Sequence, residues 1–217
     1  MGTKTVAILG STGSIGRSTL EIIKKTKKLK VVLIIANSND SKILSQIKFF
    51  KPKVVVINDQ LTFIKVKKKN KFKQIIILNS LKNIEKYIKT IDITVSAIPG
   101  IAGLEPTLSF ISLSKKILLA NKESIVCGWN LIKKKAIKHN TSLVPIDSEH
   151  FSISELIKQH PKEQIKKIYI TASGGPFLKL NKNKFKYIKP EDAIKHPKWK
   201  MGKKISVDSA TLMNKVL

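Results

Sequence analysis

The segment Val6-Ala-Ile-Leu-Gly10-Ser-Thr-Gly13-Ser-Ile-Gly16 decides the fold, because its pattern is that of an apolar strand, a glycine turn and a helix start. Gly10 can make the tight turn, Gly13 lets the backbone approach a pyrophosphate, and Gly16 allows the helix to pack closely on the strand. The N-terminus of such a helix attracts phosphate. The spacing is GxxGxxG, a variant of GxGxxG, so a structural glycine turn without a ligand is the alternative.

The first 145 residues alternate short apolar runs with segments of helical periodicity. Most runs are rich in Val and Ile and apolar on both faces, which is typical of parallel strands covered by helices. Repeated strand–helix units predict a Rossmann-like, doubly wound α/β sheet. The predicted strands are Thr5–Leu9, Val31–Ala36, Lys53–Ile57, Gln74–Leu78, Ile91–Ala97, Lys116–Leu119 and Ser142–Val144. The predicted helices are Ile15–Lys25, Leu44–Phe50, Leu104–Leu113 and Ser124–Lys138.

After Pro145 the pattern changes. A predicted helix, Phe151–Gln159, is followed by a predicted strand, Gln164–Ala172, and then by a Gly/Pro stretch. The lysine-rich stretch Lys179–Lys189 predicts a solvated loop or a short helix. We therefore expect residues 1–147 to form the α/β domain and residues 148–217 to form part of an α+β catalytic domain.

The net charge of +28 comes from 42 basic and 14 acidic residues. A nucleic-acid or anionic-surface binder would carry such a charge. Arg17 is the only arginine, however, and the lysines are spread over many segments. Arginine is the usual reader of bases and phosphates. General enrichment in lysine therefore explains the charge better, and a basic nucleic-acid-binding protein is a distant alternative.

The apolar content and the single cysteine indicate which classes of protein the chain can belong to. The apolar fraction of 42% is enough for a core, and no apolar run has the length of a membrane span. Cys127 is the only cysteine, which excludes an internal disulfide and fits a reducing compartment. Strand-like residues begin at Thr5, so we expect a cytoplasmic protein without a signal or transit peptide.

Two carboxylates, Asp147 and Glu149, follow the last predicted strand of the first domain. Residues i and i+2 of an extended segment point the same way, so the two could hold Mg²⁺ or Mn²⁺ together. The alternative is a helix N-terminus, with Asp147 or Ser148 as the cap and Glu149 in the first turn.

Two further polar clusters also follow predicted strands. Asn121-Lys122-Glu123-Ser124 could face a ligand, or Asn121 could cap a helix that has Glu123 in its first turn. Ser173 lies in Thr171-Ala-Ser-Gly-Gly-Pro-Phe177, where backbone N–H groups and the hydroxyl could contact phosphate. A generic turn is the alternative there.

The run from His196 to Lys215 has little core patterning. Trp199 in a basic loop suits a lid over a ligand, with local surface packing as the alternative. Ser209, Asn214 and Lys215 could supply donors to a phosphate. His196 could donate to substrate oxygens, or it could be structural. The tip of the second predicted strand, Asn37-Ser38-Asn39, is neutral and permits a 2′-phosphate on the ribose of a dinucleotide.

Five segments together resemble the 1-deoxy-D-xylulose 5-phosphate reductoisomerase family in order and approximate spacing. They are Gly10–Gly16, Ala120–Ser124, Asp147–His150, Ser173–Phe177 and His196–Lys215. The resemblance implies an oxidoreductase of the non-mevalonate pathway of isoprenoid precursor biosynthesis. Such an enzyme uses NADPH and Mg²⁺ or Mn²⁺ to isomerise and reduce 1-deoxy-D-xylulose 5-phosphate to 2-C-methyl-D-erythritol 4-phosphate. The full-length form would be a homodimer, with a phosphosugar substrate and no membrane or specific nucleic-acid partner.

The resemblance also implies roles for individual residues. Lys122, Glu149 and His196 would be catalytic, Asp147 and Glu149 would ligate the metal, and Trp199 and Met201 would belong to a closing flap. The implied cofactor contacts are Thr12, Gly13, Ser14, Ile15, Asn37, Ser38, Asn39, Asn121, Glu123 and Gly202. The implied substrate contacts are Lys122, Ser148, Glu149, Ser173, His196, Ser209, Asn214 and Lys215. Ser38 stands where family members usually have a basic residue.

The resemblance also implies separate roles in catalysis for the metal, the phosphate contacts and the flap. The metal, chelated by substrate oxygens, would act as a Lewis acid in both the rearrangement and the reduction. The phosphate contacts would supply remote binding energy, and the flap would exclude water. Family members continue beyond the position of Leu217 with a third carboxylate ligand and a C-terminal helical domain. We therefore expect the 217-residue chain alone to be poorly active, either as a fragment of a longer enzyme or as an inactive, cofactor-binding remnant.

Overall fold

Seven parallel strands form one sheet in the first part of the chain. The computed structural model describes residues 2–217, and the chain divides after Asp147 into two compact units. The strands are β1 (Lys4–Leu9), β2 (Leu29–Ala36), β3 (Val54–Ile57), β4 (Ile76–Leu78), β5 (Ile91–Ser96), β6 (Ser114–Leu119) and β7 (Ser142–Pro145). Their order in the sheet is β4-β3-β2-β1-β5-β6-β7. The predicted doubly wound α/β sheet is confirmed, including all seven predicted strands.

Five α-helices connect these strands. They are α1 (Ser14–Lys24), α2 (Asp40–Phe50), α3 (Gln60–Lys69), α4 (Leu104–Ile111) and α5 (Lys122–Lys138). Short 3-10 turns occur at Ile84–Lys86 and Ile101–Gly103. Across residues 2–217, no helix is both long enough and apolar enough to cross a membrane.

The sheet separates two apolar cores, one on each face. Alternate residues of a strand point to opposite faces, so Leu9 and Ile8 of β1 belong to different cores. Phe110 of α4 and Ile132 of α5 are fully buried in the first core, beside Leu9. The second core contains Ile8 with apolar side chains of α1, α2 and α3. Burial on both faces explains why the strands are rich in Val and Ile.

Helix α3 was not predicted from the sequence. Two of its apolar side chains, Leu61 and Ile64, are exposed, so its apolar residues do not form a single stripe. The signal that would have located its start is Asp59, whose carboxylate caps the helix by accepting from the Thr62 N–H at 2.8 Å.

The second unit, Ser148–Leu217, is built from helices and extended segments. Its helices are α6 (Ser148–Lys158), α7 (Pro190–Ala193), α8 (Lys203–Ala210) and α9 (Met213–Val216), with 3-10 turns at Lys162–Gln164 and Lys182–Tyr187. The predicted strand Gln164–Ala172 is wrong, because no described segment pairs with residues 165–172 and a strand needs a ladder partner. Tyr169 in this segment is 82% exposed.

Asp92, at the start of β5, forms side-chain hydrogen bonds to Thr5 of β1. Its carboxylate accepts from the N–H and the hydroxyl of Thr5, both at 2.8 Å, and Lys115 lies 2.8 Å from its other oxygen. These hydrogen bonds, with that from Lys115 the largest cause, hold the pKa of Asp92 well below its usual range. The Lys115 side chain is largely exposed, so Thr5 provides the better-shielded contacts.

We predict that Asp92→Asn lowers the free energy of unfolding by about 1 kcal/mol at neutral pH, since it removes the charge from three hydrogen bonds. Asp92 has a folded pKa below its unfolded value of about 3.9, so its contribution is present above that pH and is lost as the pH falls below it. Urea unfolding of Asp92→Asn and of the unsubstituted protein at several pH values measures this difference in the free energy of unfolding. Glu21→Gln, in an exposed pair with Lys24, is the control and should change little. An equal deficit for Asp92→Asn at acidic and neutral pH would contradict the explanation.

Candidate functional site

The glycine turn lies between β1 and α1, at the point where the strand order reverses. Ligands of open α/β sheets bind at such a switch point. Gly10 has a left-handed φ of 89°, and an added Cβ would lie 2.8 Å from the Ala97 carbonyl oxygen. A Cβ on Gly16 would collide with the Gly10 carbonyl oxygen and with Ser11. These two glycines are therefore required by close backbone packing.

Gly13 has a different role. Its φ of −71° and ψ of 174° suit any residue, so the backbone conformation does not require glycine there. Gly13 is the N-cap of α1, and no side chain caps this helix. The N–H groups at the start of α1, at Ser14 and Ile15, thus have no side-chain cap, and a helix N-terminus of this kind attracts anions. Gly13 is exposed and Thr12 half-buried beside it.

The tip of β2 lies at the same edge of the sheet. Asn37 and Ser38 are exposed, as contacts with a ribose require. The Asn39 side chain instead caps α2 by accepting from the Lys42 N–H at 3.0 Å. Thr62 of α3 donates its hydroxyl to the Ser38 carbonyl at 3.3 Å, which fixes the backbone of the tip.

Asn121, which follows β6, is buried and acts as the N-cap of α5. Its side-chain oxygen accepts from the Ser124 N–H at 3.0 Å, and its amide donates to the carbonyls of Ile98 and Gly100. Glu123 lies in the first turn of the helix, so the capping alternative describes this cluster correctly. With both amide hydrogens engaged, the Asn121 side chain shapes the edge of the sheet and does not project from it.

Lys122 and Asp147 form an ion pair at the same edge. The Lys122 Nζ lies 2.7 Å from Asp147 Oδ2, and the two side chains are only 8% and 13% exposed. Lys122 and Asp147 follow the neighbouring strands β6 and β7, so the two candidate site residues are brought together. A shielded pair of this kind holds both charges in fixed positions.

In the second unit, Glu149 lies in the first turn of α6, which begins at Ser148. The prediction that Asp147 and Glu149 lie on one extended segment is therefore wrong, and the helix-start alternative describes the backbone. Lys215 of α9 forms an ion pair with Glu149, and Asn214 donates its side-chain amide to the same oxygen at 3.3 Å. Leu212, with a left-handed φ of 60°, reverses the chain between α8 and α9.

A second cluster joins Ser173, His196 and Ser209. The His196 Nδ1 accepts from the backbone N–H groups of Lys198 at 3.2 Å and Trp199 at 3.1 Å. An accepting ring nitrogen carries no proton, so the ring has its hydrogen on Nε2 and donates to Ser173 Oγ, 3.0 Å away. The Ser173 and Ser209 hydroxyl oxygens lie 3.3 Å apart, and either hydroxyl can be the donor. The hydrogen bond links the two serines and the His196 ring into one cluster.

The predicted flap residues adjoin this cluster. The indole of Trp199 is 57% exposed and stacks on the His196 ring, with centroids 4.8 Å apart. Met201 is half-buried, and Gly202 is the N-cap of α8. The stacking ties the Trp199 loop to the ring that contacts Ser173.

Two glycines bring Ser173 close to Ser209. Gly174 and Gly175 have left-handed φ values of 81° and 62°. A Cβ on Gly175 would lie 2.9 Å from the Ala210 Cα and 3.0 Å from the Ser209 carbonyl oxygen. The short distance between the two hydroxyls therefore depends on glycine at position 175.

A cavity of about 990 Å³ lies within the second unit, between α6 and the extended segment 165–171. Ser148, Glu149 and Lys215 line it together with apolar side chains such as Ile153 and Tyr169. Three predicted substrate contacts thus share one cavity.

Gln46 supports the glycine turn, but no pattern in the sequence indicates this role. Gln46, in the middle of α2, makes buried hydrogen bonds to Ser11. A glutamine inside an amphipathic helix normally indicates a solvent-facing position, so sequence patterns could not have identified it.

A parallel sheet with a glycine turn at its switch point is typical of the dinucleotide-binding class of α/β proteins. The family models that match the chain identify its family within this class. The family model "1-deoxy-D-xylulose 5-phosphate reductoisomerase" matches residues 6–128, and the model of the C-terminal domain of that enzyme matches residues 143–217. The chain therefore belongs to the 1-deoxy-D-xylulose 5-phosphate reductoisomerase family.

Curated relatives of that name include the protein of Pelagibacter ubique, which is 49% identical over 98% of this chain, and that of Clostridium tetani, which is 43% identical over 99%. The chain spans 56% and 57% of their lengths. Among solved structures, a reductoisomerase in complex with NADPH, fosmidomycin and magnesium is 36% identical with a TM-score of 0.86. The Zymomonas mobilis reductoisomerase in complex with NADPH is also 36% identical, with a TM-score of 0.83. In both cases 98% of this chain matches 55% of the solved chain.

We predict that Gly175→Ala destabilises the protein more than Gly100→Ala, although both glycines have positive φ. Gly100 has open space around its Cβ position, so its substitution should cost only the strain of a conformation with φ 70° and ψ −169°, about 2 kcal/mol. Crowding against α8 should add about 2 kcal/mol at Gly175. Urea unfolding of the two variants measures the difference, and equal costs would show that the close approach at Gly175 is unimportant.

Proposed function

We propose that this chain forms the NADPH site and the substrate-phosphate site of a 1-deoxy-D-xylulose 5-phosphate reductoisomerase. The proposed reaction is the NADPH-dependent, divalent-metal-dependent isomerisation and reduction of that phosphosugar to 2-C-methyl-D-erythritol 4-phosphate. The observation that carries the proposal is the uncapped N-terminus of α1 at the switch point of the sheet. Membership of the reductoisomerase family supports it.

The cofactor is assigned to the edge of the sheet in the first unit. The N–H groups after Gly13 would bind the pyrophosphate, with Thr12, Ser14 and Ile15 around it. The exposed Asn37 and Ser38 would contact the adenosine ribose, and Ser38 could donate one hydrogen bond to a 2′-phosphate. Asn39 and Asn121 would act by fixing the backbone, since both side chains cap helices. Glu123 and Gly202 complete the proposed set of cofactor residues.

The proposed metal ligands are Asp147 and Glu149. Mg²⁺ is commonly held by one or two carboxylates together with water, so their donor chemistry fits a hard divalent ion. Each side chain is 13% exposed, which leaves access for an ion. Among residues 2–217, no group of three or more His, Cys, Asp or Glu side chains could hold a metal ion. When bound, a divalent metal supplies Lewis-acid polarisation of a substrate oxygen.

The substrate is assigned to the two polar clusters of the second unit and to Lys122. Lys215 would attract the phosphate as a cation, while Ser209 and Asn214 would donate hydrogen bonds to it. His196, with its hydrogen on Nε2, would orient Ser173 and, by stacking, hold Trp199 over the ligand. Lys122, Ser148 and Glu149 would contact hydroxyl and carbonyl oxygens.

The proposal also covers location and partners. We propose a homodimer for the full-length form, which rests on the family resemblance alone. A cytoplasmic location is supported by the single cysteine, Cys127. The scattered lysines support non-specific attraction of polyanions over a dedicated nucleic-acid site.

We predict that two substitutions separate the proposed sites. Gly13→Val should fold with a small local adjustment, since φ and ψ there suit any residue and an added Cβ would lie 3.3 Å from the Gly10 carbonyl oxygen. Its side chain should obstruct the pyrophosphate and weaken NADPH binding by about tenfold or more. Lys215→Met should weaken binding of 1-deoxy-D-xylulose 5-phosphate about tenfold, because a charge-assisted hydrogen bond is lost. Each variant is the control for the other ligand, and calorimetric titration measures both.

Inorganic phosphate should compete with the phosphosugar in the unsubstituted protein, and it should compete less well in Lys215→Met. Failure of the unsubstituted protein to bind either ligand would contradict the proposal. So would a Lys215→Met variant that binds both ligands unchanged, or a loss of NADPH binding in that variant.

A further inference from the structure

Ser11, the residue after Gly10 in the glycine turn, is fully buried and fixed at three polar groups. Its N–H donates to the Ile35 carbonyl at 2.9 Å. Its hydroxyl donates to Gln46 Oε1 at 2.7 Å, and the Gln46 amide donates back to the Ser11 carbonyl at 3.0 Å. Gln46 is itself 8% exposed. The pair is a reciprocal, two-bond contact shielded from water.

This contact joins two parts of the proposed cofactor site that are distant in sequence. Ser11 precedes the pyrophosphate-binding residues, and Gln46 belongs to α2, the helix that starts directly after the β2 tip. A buried amide that holds both a hydroxyl and a carbonyl leaves Ser11 no freedom to rotate. The Gln46 side chain therefore adds to the backbone hydrogen bonds of Ser11 and Gly13 in fixing the direction of the N–H groups that follow Ser11.

We propose that Gln46 is a positioning residue for dinucleotide binding, which aims the N–H groups at the start of α1 by holding Ser11. The inference rests on the proposed NADPH site and adds a residue that does not touch the cofactor. Neutral glutamine suits this role, because its amide both accepts and donates, whereas a carboxylate could only accept and would place a negative charge behind a pyrophosphate site.

The test compares Gln46→Met with Gln74→Met in the 217-residue chain. Methionine keeps the length and burial of the side chain at position 46 and removes both hydrogen bonds. Gln74 is exposed in the turn before β4, so the same chemical change there is the matched control. NADPH affinity is measured by titration, and stability by urea unfolding, with titrations made far below the unfolding midpoint.

We expect Gln46→Met to weaken NADPH binding about tenfold, the factor that corresponds to roughly one well-placed hydrogen bond, and Gln74→Met to leave it unchanged. A lowered unfolding midpoint with unchanged NADPH affinity would overturn the inference, since Gln46 would then be only structural. Absence of NADPH binding in the unsubstituted protein would instead overturn the proposed function itself.

Ser11→Ala is the second variant, for the case in which Gln46→Met fails to fold. It removes the hydroxyl and keeps the bond from the Gln46 amide to the Ser11 carbonyl. We expect a smaller loss of NADPH affinity, about threefold, because one of the two hydrogen bonds remains. Unchanged affinity in Ser11→Ala together with a folded protein would count against the positioning role.

Discussion

The close approach of the Gly10 turn to the residues after β5 fixes the position of the glycine turn and of the start of α1 at the carboxyl edge of the sheet. An added Cβ on Gly10 would lie 2.8 Å from the Ala97 carbonyl, and the N–H groups of Gly10 and Ser11 both donate to Ile35 at the end of β2. The turn therefore contacts both neighbours of β1 in the sheet. Only a residue without a side chain can be held this closely, and only in that position does α1 start where its N–H groups face the switch point.

The charged groups proposed to bind ligands are paired with one another. Lys122 pairs with Asp147 in the first unit, and Lys215 pairs with Glu149 in the second. Under the proposed function, a phosphate that binds Lys215 has to displace Glu149 from it. A metal that takes Glu149 would remove the same contact, so the two ligands should favour each other's binding. The partly shielded pairs keep these charges in place at small cost in desolvation compared with unpaired ions.

Sequence patterns predicted the first unit well, because strands buried on both faces must be continuous apolar runs and glycine spacing is a local signal. The position of polar residues such as Asn121 at one edge of the sheet could also be predicted, since strand direction fixes which edge they occupy. Sequence patterns gave wrong or missing secondary structure where contacts between distant segments determine it. Helix α3 exposes apolar side chains such as Leu61, and the segment 165–172 has strand-like residues but no partner strand among the described residues. Gln46 was missed because its role depends on a contact 35 positions away in sequence.

The decisive measurement is the change in backbone amide chemical shifts when NADPH is added to the protein. We expect NADPH to shift the amides of residues 12–15 and 37–39 most, since they line the carboxyl edge of β1 and β2. Small shifts spread over the lysine-rich helix ends, such as Lys67–Lys69 of α3, with no change in the glycine turn, would contradict it. Such a result would mean that NADPH is attracted only as a polyanion by the net charge of +28.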